Sequence, residues 1–219
     1  HHALALMVAE QGAVLLKNEE SILPLCENDM VLIGHMAANL RYQGSGSSHI
    51  NPTKFVNITD AMPSVPCCAC GDAQGNVSAQ DLCDAVEAAK KQRVAVVVVG
   101  LPDSYESEAF DRENMKMPQG HIDMIHTVTS VNENVIVVLM CGSAIEIDWE
   151  NKVKGILYTG LIGQSCNSIL SLINQIIYNN NPNPYYSYSS IYNDSGSKIF
   201  VRAQSMPLKS TLSFGSPYI

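Results

Sequence analysis

The sequence predicts an α/β domain, a doubly wound three-layer sandwich in which a mainly parallel sheet lies between helices. Two observations carry the prediction. The Val/Ile runs at 94–99 and 135–140 show no alternation of apolar and polar residues, as expected for strands covered on both faces. Segments of helical spacing stand between such runs. A chain of 219 residues, 46% apolar, suffices for one sizeable domain with a real core.

Residues 3–9 have the spacing of an amphipathic helix and lead into an extended Val14-Leu15-Leu16. A first buried strand at 30–33 is stopped by Gly34, and 37–52 is a polar loop rich in Gly and Ser. Residues 58–62 form a short helix and 65–70 a strand. Ser78 caps a helix over 79–91, with Asp81 at the third position to accept from free amides. After the strand at 94–99 comes a loop over 101–117, then a helix opening at Pro118, which suits a first helical position. Residues 135–140 and 155–159 are strands, and 165–178 has helical spacing. Asn179 to Pro184 breaks regular structure, 185–197 has no period, and 199–201 and 211–214 are short edge segments. The expected division is therefore a domain over 1–178 and a divergent, poorly patterned tail of the same domain over 179–219.

Lys and Arg number 13 against 21 Asp and Glu, a net charge of −8. Such a chain lacks the cationic surface that nucleic acid or anionic lipid needs, so neither is an expected partner. No apolar run approaches the ~20 residues of a membrane span. Of the seven cysteines, Cys67, Cys68 and Cys70 are closely spaced, but no second Cys pair or matching His completes a zinc set. Buried thiols in a reducing compartment are expected, which places the protein in the cytoplasm, with no metal and no cofactor. His121 and His126 are five apart on a helix and do not share a face. Trp149 suits the core as well as a binding platform.

Ligands of open α/β sheets bind at the carboxyl ends of the strands. Two polar loops leave such ends. The first reads Arg41-Tyr42-Gln43-Gly44-Ser45-Gly46-Ser47-Ser48. As a dinucleotide cradle it fails, since His49 stands at the third glycine position and the loop runs on to Asn51-Pro52. Bare amides and serine hydroxyls suit a sugar better. The second loop, Glu106-Ser107-Glu108-Ala109-Phe110-Asp111-Arg112, carries three carboxylates beside one arginine. Desolvation by Tyr105 and Phe110, with repulsion among the carboxylates, is expected to raise one pKa, making Glu106 or Glu108 a candidate general acid.

These segments, with Leu23-Pro24-Leu25, Val31-Leu32-Ile33-Gly34, Met117-Pro118, Cys141-Gly142-Ser143-Ala144-Ile145-Glu146 and Val153-Lys154-Gly155-Ile156-Leu157, stand in the order of a known family. The chain resembles the second, (α/β)6-sandwich domain of glycoside hydrolase family 3, of the clostridial β-glucosidase type. The resemblance covers about three-quarters of the chain. It implies a retaining β-glucosidase acting on terminal β-D-glucosyl residues of a β-glucoside or oligosaccharide. The family loop places the acid/base on Glu108, and Asp111 and Arg112 support that loop. Ser47, Gln43 and Arg41 would line the sugar pocket. The nucleophilic Asp belongs to an N-terminal barrel domain, so this chain alone is expected to be inactive. Ala109 replaces the usual Gly, Ala144 the usual Pro, and 67–70 a Tyr-containing strand. The eroded segment after residue 178 supports an alternative, a non-catalytic sugar-binding or structural relic. A free nucleotide-binding domain, which would bind ATP or NAD, rests only on the Gly-x-Gly.

Overall fold

A computed structural model describes residues 2–109, 111–163, 188–192 and 198–202. In chain order the elements are α1 (His2–Gly12), β1 (Val14–Asn18), β2 (Met30–Ile33), α2 (His35–Ala38), α3 (Ile58–Ala61), β3 (Cys67–Cys68), α4 (Ala79–Lys90), β4 (Val94–Gly100), α5 (Gln119–Thr129), β5 (Val135–Met140), β6 (Ile145–Glu146), β7 (Gly155–Tyr158), β8 (Tyr188–Tyr192) and β9 (Lys198–Arg202). The main sheet runs β1-β7-β5-β4-β2-β3. All its pairings are parallel except that of β1 with β7 at one edge.

Every residue of β2, β4, β5 and β7 is buried. Successive side chains of a strand point to opposite faces, and two cores result. Leu32, Val96, Val98 and Val138 pack with Ala9, Met36 and Ile58 from α1, α2 and α3. Ile33, Val97, Val99 and Val137 pack with Ala85 and Ala89 of α4, Met124, Ile125 and Val128 of α5, and Trp149. The chain is the three-layer α/β sandwich that the unbroken Val/Ile runs predict.

Local differences have local causes. The strand expected over 65–70 shrinks to Cys67–Cys68, because Pro66 has no amide to give the ladder and serves only as an acceptor from Leu32. Pro118 lies just before α5 with ψ near 136°, accepting from His121 and Ile122. The four-residue α2, too short for a periodic signal, starts at Gly34. There φ is +114°, and a Cβ would stand 2.5 Å from the carbonyl oxygen of Val98. The aperiodic 185–197 segment contains a strand, contrary to expectation: β8 pairs antiparallel with β9, which also pairs with β6. Tyr and Ile favour extended backbone, and main-chain pairing needs no side-chain alternation. The expected helix at 165–178 and segment at 211–214 lie outside the described residues.

At the sheet rim formed by the strand N-termini, short contacts tie the turns together. Arg93 pairs with Asp29 at 3.2 Å, and Asn132 donates to the carbonyls of Ala89 and Gln92. The opposite rim carries the long polar loops.

Candidate active site

Three loops meet at the C-terminal ends of the adjacent strands β2, β4 and β5, where a doubly wound sheet presents its ligand crevice. They are the segment from Arg41 to Asn57, the segment from Leu101 to Pro118, and Cys141 to Ala144. Residues 45 and 107 form an isolated parallel bridge that zips the first two loops together. The Glu108 amide donates to the Ser45 carbonyl at 3.2 Å. In return the Ser47 amide donates to Glu108 Oε2 at 2.6 Å. Gly46, between them, has φ of +116°, and a Cβ there would lie 2.5 Å from Glu108 Cβ and 2.6 Å from Oε2. Only a glycine lets the backbone come this close to the carboxylate.

Although two residues apart, the carboxylates of Glu106 and Glu108 have different surroundings. Glu106 is held inside, its side chain 10% exposed. It pairs with Nη1 of Arg41, receives the Gly142 amide at 3.0 Å, and receives the Ser143 hydroxyl. Arg41 is itself buried; its Nε donates to Asp103 at 3.0 Å and its Nη1 to the Leu101 carbonyl at 2.6 Å. Burial pushes the Glu106 pKa up, but the Gly142 amide, the Ser143 hydroxyl and the Arg41 guanidinium outweigh it and hold the carboxyl below its ordinary value. Glu108 is exposed, and hydrogen bonds from the Ser47 hydroxyl and amide also hold it below the ordinary value. The expectation that one of the two is raised is therefore corrected. Each carboxylate faces hydrogen-bond donors, and apolar cover over Glu108 is absent among the described residues.

The other candidate residues fall close by. Gln43 donates from Nε2 to the Ile50 carbonyl at 2.9 Å and accepts the Ile50 amide at 3.0 Å, fixing the outer part of the first loop. Arg112 donates to the Ser143 hydroxyl at 2.9 Å and to the Ala144 carbonyl at 2.6 Å, which ties the far end of the second loop to the third. Asp111 is exposed beside it. Nη2 of Arg41 and the hydroxyl of Ser45 are buried without a hydrogen-bond partner among the described residues. Sequence reasoning carries Gly142 and Ser143 only as part of a family segment, with no site role, and passes over Asp103, because their roles depend on loops far apart in the chain. The one available signal was the polar character of each loop that follows a buried strand.

Elsewhere, His121 is buried and donates from Nδ1 to the Gly100 carbonyl; desolvation lowers its pKa to about 4, so it is a neutral core residue. Trp149 is fully buried in the second core. Cys70 is buried beside Met124, and burial pushes its pKa up to about 12. No cluster of three His, Cys, Asp or Glu shaped to hold a metal occurs among the described residues. None of their helices is long and apolar enough to cross a membrane.

Ala109 follows Glu108 with φ of +67°, a left-handed conformation costing an alanine about 1–2 kcal/mol. Ala109→Gly relieves that strain but frees the unfolded chain by about 0.4–1 kcal/mol. The expected net is a gain of about 0.5 kcal/mol, seen as a melting temperature higher by about 1–2 °C. A lower melting temperature would show that the left-handed turn does not strain the alanine.

The sequence profile of the Glycosyl hydrolase family 3 C-terminal domain matches residues 13–182. Thermostable beta-glucosidase B of Acetivibrio thermocellus is 40% identical over 184 residues, which cover 78% of this chain and 24% of that protein. An exo-alpha-(1->6)-L-arabinopyranosidase of Bifidobacterium longum is 37% identical over 182 residues, covering 75% and 24%. Among solved structures, a GH3 beta-glucosidase of Bifidobacterium adolescentis superposes with a TM-score of 0.70 at 33% identity, covering 81% of this chain and 27% of that one. The chain thus spans about a quarter of the length of these relatives.

Proposed function

Because the chain belongs to the glycosyl hydrolase family 3 C-terminal domain family, we propose that it is the acid/base-bearing domain of a retaining β-glucosidase. In this reading Glu108 is the general acid/base. An N-terminal barrel domain supplies the nucleophilic Asp, and terminal β-D-glucosyl residues are the substrate. One observation supports the choice of carboxylate above the others. Glu106 is engaged by three partners inside the domain, Arg41, Gly142 and Ser143, whereas Glu108 stands exposed where the two loops are zipped together.

The roles follow from this arrangement. In a retaining mechanism one carboxyl group first protonates the leaving oxygen and then, ionised, draws a proton from water. The second carboxylate attacks the anomeric carbon from about 5–5.5 Å away. The Ser47 contacts favour the ionised form of Glu108, the form needed in the second step. For the first step, a sugar seated over Glu108 excludes water, and a neighbouring anionic nucleophile disfavours a second charge; both raise a carboxyl pKa. Ser47 faces the ligand. Arg41 backs the pocket from inside, its guanidinium buried on Glu106, Asp103 and the Leu101 carbonyl, and Gln43 shapes the pocket by holding the turn up to Ile50. Asp111 and Arg112 support the acid loop. The described cysteines are free thiols, which accords with a reducing, cytoplasmic location.

The stereochemistry of the first product tests the mechanism. With the complete protein and an aryl β-D-glucoside, proton NMR is expected to show β-glucose first, the α anomer following only by mutarotation. Initial release of the α anomer would overturn the retaining assignment, and release of no glucose would overturn the substrate. The 219-residue chain by itself is expected to give no turnover.

A further inference from the structure

We propose that Glu106 is a positioning residue whose carboxylate joins the ends of three neighbouring strands and thereby fixes the place of Glu108. The inference deepens the preceding reading and rests on it for its catalytic consequence, while its structural content stands apart. Strands β5, β4 and β2 are adjacent in the sheet, and each sends one loop into the crevice. Glu106 lies on the loop after β4. Its partners are Arg41, on the loop after β2, and Gly142 and Ser143, directly after β5. Arg41 also binds the start of the β4 loop through the Leu101 carbonyl and Asp103. Arg112, the other cation facing the cluster, reaches it through the Ser143 hydroxyl.

The chain leaves this anchored point and needs one residue, Ser107, to reach Glu108. Ser107 bridges to Ser45, on the loop that Arg41 opens. The contacts of Glu108 with Ser45 and Ser47 therefore join the same two loops that Arg41 fastens through Glu106, Asp103 and the Leu101 carbonyl. A carboxylate this enclosed, with donors on each side, has one low-energy placement, because turning it leaves buried donors unpaired. That rigidity passes to the residue two positions on. Two carboxylates on one short loop are thus divided between holding and reacting.

Glu106→Gln keeps the shape, removes the charge and turns a donor towards Arg41 or Gly142. In the 219-residue chain, carbon-13 NMR titration of Glu108 is expected to show its midpoint rising towards that of an ordinary glutamate. Exchange of the Ser47 amide is expected to speed up by about tenfold or more, with the β4 and β5 amides still protected. A folded Glu106→Gln chain with both unchanged would overturn the proposal. If that variant does not fold, Ser143→Ala, which removes a single donor, is expected to move both readouts the same way by less, and unchanged readouts there overturn it equally. In the complete enzyme, Glu106→Gln is expected to lower kcat/KM by about 10–100-fold on glucosides of poor leaving groups, with little change in kcat/KM on activated aryl glucosides. Equal loss on both classes would overturn the positioning role. If Glu108→Ala itself shows no dependence on the leaving group, the acid/base assignment falls, and the Glu108 titration still decides the role of Glu106.

Discussion

Replacing Glu108 by alanine in the complete protein is expected to lower kcat on glucosides of poor leaving groups by about 10²–10⁴-fold, the usual contribution of a positioned proton donor. The loss in kcat/KM should be much smaller for activated aryl glucosides, whose departing oxygen needs no proton. For these, hydrolysis of the glycosyl intermediate becomes limiting, because no base draws the proton from water. Azide needs no such base and fits the space that the side chain leaves. Its addition is therefore expected to restore turnover and yield the glycosyl azide. The geometry suits this experiment, because Glu108 is exposed and its removal leaves no buried donor unpaired. Unchanged kcat on poor leaving groups, or a loss in kcat/KM equal for all leaving groups, would remove Glu108 from proton transfer to the leaving oxygen.

A second large effect is expected in stability. Arg41→Ala leaves the Glu106 carboxylate enclosed without its cation. Breaking a buried pair from one side typically costs about 3–5 kcal/mol. Urea denaturation at neutral pH should show this as a much earlier midpoint. The loss should depend on pH in a definite direction. In the wild-type chain the folded pKa of Glu106 lies below its unfolded value, so its ionisation stabilises the fold at pH above the unfolded pKa. That contribution fades as pH falls through the folded pKa. Without Arg41, burial is opposed only by the Gly142 and Ser143 donors, and protonation becomes easier. The deficit of Arg41→Ala relative to wild type should thus be largest near neutrality and shrink in acid. A deficit independent of pH would assign the loss to packing of the arginine stem instead.

The central sheet was legible because burial on both faces imprints unbroken Val/Ile runs, as in β4 and β5. The cap of α4 was equally legible, since Ser78 and Asp81 sit three apart and satisfy each other's amides. Elements whose reason is tertiary were not. The four residues of α2 hold no period, and their start depends on Gly34 passing close beneath Val98. Strand β8 draws on pairing with β9 rather than on its own pattern. At the site, residue types and spacing led to the two loops but left Glu106 and Glu108 equivalent. The distinction lies in partners about 35 and 65 positions away along the chain, Gly142, Ser143 and Arg41. Composition near the loop also misled on charge. Tyr105 and three carboxylates suggest a raised pKa, whereas the fold aims donors at both glutamates.

The close passage of Gly46 beneath Glu108 has a use in comparing sequences. Any residue with a Cβ at that place would collide with the side chain opposite, so glycine there and a glutamate in this posture must be inherited together. A homologous domain that keeps the glutamate but has lost the glycine must have refolded its loop or carry the acid in another pose. Position 46 can thus sort genes that preserve this arrangement from those that retain only its sandwich.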